Sequence, residues 1–448
     1  MDLILRPLGL VLAAGTLMSV NPAPQQQYSP ELLAMLDPTA GMRSLCGGTG
    51  GSSMRSLLSA SAAVVGRTDV TAPPLYDGLG KVHFAITTSN PLAQRYFDQG
   101  LSFAYGFNHA GAIAAFREAQ RLDPHCAMCF WGEAFARGPN INAPMDPAGN
   151  ARAVGLANYI FWLARNGSST ERGLAEALLK RYSDDPKADR AKLDADYADA
   201  MLAVAKAHPD NDDVALLAAE AAMDTRPWDY WTADKQPNPR IADAVKLVET
   251  VYARNPEHPQ AAHLYIHLME NGPDPKRAEA AADKLATPLS PQAGHLVHMP
   301  AHIYYRLGRW KDSMRVNIEA ARVDETWIKA TGDKGLVRYG YYPHNVHFIV
   351  TSAQMAGDAA TALREARKLS GILDPTISSQ IAWVQAVNAA PFFTAAQFAR
   401  PAQILAMKAP DARLPYPTAM RHYARAVAYA QQRDRLHFDV ELLALRRI

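Results

Sequence analysis

A chain of 448 residues is too long for one ordinary hydrophobic core and suits several domains or an elongated array. Its 46 Lys and Arg nearly cancel 44 Asp and Glu, so a formal net charge of +2 gives no electrostatic reason to expect a nucleic-acid partner. No run of like charges offers a polybasic anchor, and no integral membrane segment is expected in the mature chain.

The first element is an apolar stretch at residues 8–20, following Arg6. It is too short to span a bilayer but has the size of a signal-peptide apolar region. Residues 1–20 therefore read as a signal peptide of an exported or periplasmic protein. Asp2 and the lack of a small-x-small cleavage site depart from that pattern, and the alternative is a disordered start on a cytoplasmic chain. Residues 21–90 read as a low-complexity Gly/Ser/Pro linker. The glycine-rich run at residues 47–52 lacks the Gly-Lys-Ser/Thr ending of a phosphate loop.

Residues 91–448 form the third region, helical almost throughout, so the fold class is all-α. Tyr96, Gly100, Phe103, Ala112, Phe116, Ala119 and Pro124 have the spacing of two antiparallel helices with small residues at their crossing. This run resembles a tetratricopeptide repeat (TPR); only Gln99 departs, where an apolar residue is usual. Cys126 and Cys129 follow as a C-x-x-C pair. Phe130 stands where a haem-attachment motif needs His, and the helical context does not suit a thioredoxin site. A local disulfide, two buried thiols or a metal pair stay open.

Later units repeat the logic more loosely. Residues 244–256 read as half a unit, then 260–285, 295–322 and 344–369 as helix pairs, with 418–447 as a closing pair. Gly272, Gly308 and Gly357 are expected to cap first helices. The landmarks 96–131, Arg226-Pro227-Trp228 and Gly294-His295-Leu296-Val297-His298-Met299-Pro300-Ala301-His302-Ile303 resemble a group of bacterial TPR-like proteins. That resemblance implies an α-solenoid of antiparallel helix pairs, and it implies no reaction.

Seven of the fourteen histidines fall in three tight groups: His263 and His267; His295, His298 and His302; His344 and His347. Steps of three and four place each group within roughly a 60° arc of a helix. In TPR arrays the first helix of each pair lines the concave groove. Aligning the units on Ala278, Ser313 and Ala362 predicts seven imidazoles along one concave wall. Singly, each would be an ordinary buried ring; in register, they point to a transition metal, with Zn, Cu or Fe suited to all-nitrogen donors. A helix beginning at Pro300 would put His295 and His298 out of register.

His263-x-x-x-His267 and His298-x-x-x-His302 have chelating geometry, but no Glu follows either first His, so the zinc-protease signature is absent. Glu270 and Glu220 are candidate ligands, orienting acceptors or bases, against the plain reading of solvated or capping carboxylates. Trp228 and Tyr342 lie in aromatic clusters that would wall a small-molecule pocket or pack repeats together. The sequence thus predicts a metal-binding solenoid. If it is catalytic, an ion between His263, His267, His298 and His302 would activate water or O₂ with Glu270 as base, and protons would displace the ion below about pH 6. The competing expectation is a scaffold whose groove receives a peptide, protein partner or small-molecule ligand.

Overall fold

Asn90 accepts from the Leu92 and Ala93 N–H groups, and Pro91 supplies a preset φ, so the first helix among the described residues, α1, runs Pro91–Tyr105. Asn108 caps α2, His109–Leu122, in the same way, and α3 spans Ala127–Arg137. The structure is a computed structural model that describes residues 72–448 apart from Pro288 and Ile381. The expected signal segment, Cys46 and the glycine-rich run lie outside the described residues. Helix α2 packs on both α1 and α3. Phe116 sits between two glycines: a Cβ at Gly100 would come within 2.6 Å of its ring, and one at Gly132 within 2.3 Å. That close crossing is why the first unit carries small residues there.

The helices that follow are α4 (Asn150–Leu163), α5 (Ser169–Leu178), α6 (Arg190–Ala207), α7 (Asp212–Asp224) and α8 (Ile241–Arg254). Then come α9 (Pro259–Met269), α10 (Glu279–Leu285), α11 (Gly294–His298), α12 (Pro300–Arg306) and α13 (Trp310–Thr331). The chain continues with α14 (Tyr342–Ala356), α15 (Ala359–Ile372), α16 (Pro375–Gln380), α17 (Ala382–Phe398), α18 (Pro401–Leu405), α19 (Pro415–Gln431) and α20 (Arg435–Arg446). Most pack on helices adjacent or next-but-one in sequence, and no strand occurs among the described residues. This is a TPR-like α-solenoid, in which stability is built from nearest-neighbour interfaces. No helix among the described residues is long and apolar enough to cross a membrane.

Gly308 and Gly357 take left-handed φ values of +74° and +73°, as helix-ending glycines do. Gly272 does not; a Cβ there would crowd the Met269 carbonyl at 3.2 Å and the Leu268 carbonyl and Trp231 indole nitrogen at 3.3 Å. Cys126 and Cys129 are joined as a disulfide at the start of α3, which closes the alternatives left by their spacing.

Two corrections concern the histidine helices. Met299 keeps helical angles (φ −52°, ψ −38°), so α12 continues the course of α11 through Pro300 and the register of the histidines survives. The proline costs one intrahelical bond, and the His302 N–H is met instead by the Met299 carbonyl at 3.1 Å.

The concave wall, moreover, is not open: exposure of the seven histidines runs from 0% at His263, His267 and His298 to 8% at His347. Residues 72–90, expected as linker, pack against the helices instead. Leu79, Val82 and Phe84 are buried, the Gln292 N–H donates to Gly78 at 2.9 Å, and the Tyr76 ring lies 5.5 Å from Trp327 on α13. Gln99 holds this strap with both ends of its amide, accepting from Tyr76 N–H at 2.7 Å and donating to the Pro74 carbonyl at 3.0 Å. Its departure from the repeat pattern is thereby explained. The strap fastens α1 beside α11 and α13, and the turn after α1 fills the space in front of the histidines.

Candidate metal centre

Helix α9 presents His263 and His267 one turn apart, and α11 brings His295 against them. The three offer ligand nitrogens that all lie within 4.8 Å of one another, with His263 Nε2 and His295 Nε2 3.2 Å apart. His298, His302 and His344 form a second such triad, with His298 Nε2 2.8 Å from His302 Nε2 and 3.2 Å from His344 Nε2. The triads adjoin: ring centroids are 6.1 Å apart for His295 and His298 and 6.2 Å for His267 and His302. His347 belongs to neither triad, although it lies on α14 one turn beyond His344.

The groups behind the rings decide which nitrogen faces the centre. Asn317 on α13 donates its amide to the Ser313 carbonyl at 2.8 Å, so its oxygen is the atom 2.6 Å from His298 Nδ1. His298 must then carry its proton on Nδ1, which leaves a bare lone pair on Nε2 facing His302 and His344. Glu270 reaches both triads, with one oxygen 3.0 Å from His267 Nδ1 and the other 2.7 Å from His302 Nδ1. Gln260 lies 2.9 Å from His263 Nδ1 and donates to Glu220 at 2.9 Å. Glu220 thus stands one residue further back than expected.

Burial lowers every imidazole in the cluster. His263 and His302 are pushed down to about 3 and His347 to about 4, while His267, His295, His298 and His344 lie well below the usual value, with neighbouring imidazoles adding to the effect. All are therefore neutral, ligating forms at pH 7. Burial also raises the Glu270 carboxyl well above its ordinary range and Glu220 to about 7. His267 Nε2 and His295 Nδ1 are buried with no hydrogen-bond partner, an expense that polar atoms in a folded core rarely carry.

Each triad has a phenylalanine over it. Phe107, in the turn between α1 and α2, has its centroid 4.7 Å from His263, 6.1 Å from His267 and 5.2 Å from His295. Phe348 lies 5.0 Å from each of His298, His302 and His344. Trp228 lies beside the first triad, its ring edge-on to His267 at 4.8 Å and its N–H donated to the Ile141 carbonyl at 3.0 Å. Tyr342 does not face the site; its hydroxyl donates to Glu325 at 2.8 Å. The neighbouring Tyr341, at the end of a π-helical turn (Val337–Tyr341), lies 4.8 Å from His295 instead.

The sequence reading also missed Asn317, Gln260, Phe107 and Phe348. Phe348 was legible, four residues after His344 on the same face. Asn317 and Phe107 had no such signal, because they come from other elements.

No family model matches this chain, and no curated protein matches it. Among solved structures it is similar to a tetratricopeptide repeat protein from Parabacteroides merdae, 12% identical over 79% of this chain and 99% of that one, with a TM-score of 0.31. It is similar also to yeast Tom70, at 9% identity over 79% and 84% of the two chains and a TM-score of 0.23. A human IFIT1 dimer with m7Gppp-AAAA matches at 11% identity over 81% and 70%, with a TM-score of 0.29. Scores of this size carry no residue, ligand or partner across. By its own helix pairs, the chain is an all-α, TPR-like repeat protein.

Proposed function

We propose that this protein binds transition-metal ions in two adjacent three-histidine centres buried inside the solenoid. One observation carries the reading: the His298 lone pair, fixed by Asn317, faces two further imidazole nitrogens at 2.8 and 3.2 Å. Two nitrogens on one tetrahedral ion bound at 2.0–2.1 Å stand about 3.3 Å apart, close to these separations. A cation in the first triad would also satisfy the unpartnered His267 Nε2. All-nitrogen donors of this kind suit Zn, Cu or Fe.

Three protein ligands leave a further coordination position, the arrangement of reactive rather than purely structural metal sites. Such an ion would supply Lewis-acid or water-activating chemistry. The chain's own groups have different tasks from those first expected. Glu270 is occupied at both oxygens by His267 and His302, so its role is to orient one imidazole of each triad rather than to serve as base. Gln260 with Glu220 does the same for His263. A peptide or protein partner would have to use surfaces away from the histidines, whose burial removes them from an open groove.

Elemental analysis of untagged protein tests the reading. The expected result is about two equivalents of transition metal per chain. Protein that stays metal-free after incubation with excess Zn, Cu and Fe would refute it.

A further inference from the structure

We propose that the two centres divide their labour: the first triad carries an exchangeable ligand of water size, and the second holds its ion sealed. The inference rests on the metal-binding reading above and adds which centre reacts and with what class of molecule.

Three observations separate the triads. First, His295 lines a cavity of about 30 Å³ together with Ser102, Asp324 and Tyr341. That space admits one or two waters, and its wall is polar enough to hold them. Second, this small cavity shares Asn108 and Val337 with a larger one of about 290 Å³, which Phe107 also lines. The two cavities therefore adjoin beside the turn that carries Phe107. No histidine of the second triad lines either of these two cavities. Third, His267 Nε2, a nitrogen left without a hydrogen-bond partner, belongs to the first triad.

The lids differ in the same sense. Phe107 stands on a turn with φ at +53°, a conformation a bulky residue adopts only at some cost. Phe348 is held in the middle of α14. The ligand class follows from the space: water or hydroxide, or an anion or neutral molecule of up to about three heavy atoms. Asp324 is fixed by the Asn345 amide at 2.7 Å and lines the small cavity together with His295.

The test uses full-length protein loaded with Cu(II), metal content being measured first, and sodium azide as the probe. Two bound ions and a saturable azide-to-copper charge-transfer band from one of them are expected. His298→Ala with His344→Ala should lose one ion and keep the band. His263→Ala with His295→Ala should keep one ion and lose the band. Ser102→Leu leaves every ligand in place but fills the small cavity, and should slow azide binding at least tenfold with both ions retained.

An azide band that persists without the first triad would overturn the proposal, as would no band in the two-ion protein or an unchanged rate in Ser102→Leu. Failure to bind copper at all would overturn the metal-binding reading itself, and the prior metal measurement tells the two failures apart.

Discussion

Phe107 and Phe348 each cover three imidazoles, yet they reach them from different kinds of backbone. Phe348 shares a helix with His344, so the second triad and its cover are set by one stretch of regular structure plus its neighbours. Phe107 comes from the first repeat and meets histidines more than 150 positions later, at 4.7 Å from His263. The first triad is therefore covered by a turn that comes from the distant first repeat. Repetition makes two similar ligand sets; long-range closure makes one of them different.

The largest effect expected is on metal content. His263→Ala with His302→Ala removes one ligand from each triad and should bring bound metal to background, with helical circular dichroism nearly unchanged. Full retention of metal would break the two-triad assignment.

Acid comes next. Each cluster imidazole has its folded-state pKa depressed below the unfolded value, so the unfolded chain binds more protons in acid. The stability from neutral burial is fully present above about pH 6.5 and is lost as pH falls toward the folded values of about 3 to 4. Metal-free protein should therefore lose stability progressively as pH falls through that window. Because the folded rings resist protonation, bound metal should persist well below pH 6, lower than the free-imidazole value suggests. Denaturant midpoints that stay flat between pH 7 and 4.5 in the metal-free protein would contradict the burial.

Phe348→Ala should destabilise by about 3–5 kcal/mol, as loss of a buried aromatic in a helix does. Phe107→Ala should instead speed removal of one of the two ions by a chelator. Equal effects of the two changes on chelation rate would erase the distinction between the lids.

Glu270→Gln and Asn317→Ala sharpen the comparison further. Glu270 serves both triads, so its amide should weaken both ions about 10- to 100-fold; Asn317→Ala should weaken only the second. Competition titrations with a chromophoric chelator would show it. The smallest effect is at the strap: Gln99→Leu removes two hydrogen bonds and should cost about 1–3 kcal/mol, read from thermal unfolding.

Much of the fold was legible because repeat helices are built from local rules. Asn90 and Asn108 announce helix starts, Gly308 and Gly357 mark ends, and Gly100 with Phe116 shows a close crossing. The histidine steps of three and four were legible for the same reason. The partners behind the rings were not. Gln260 is near in sequence to His263, but Asn317 reaches His298 from the next helix, and no spacing rule links them. Tyr341, not Tyr342, faces His295, because one residue turns a helical side chain by about 100° and the π-helical turn before α14 alters the phase.

What local spacing determined, then, was the all-α solenoid and the three imidazole stripes, since both follow from the period of a single helix. Tertiary structure alone decided that six of the seven rings divide into two threes, that Glu270 ties the threes together, and that the concave face is covered. Those outcomes depend on distances between elements far apart in the chain. Such distances arise from how the strap and first repeat close on the middle pairs, and no single helical period encodes them.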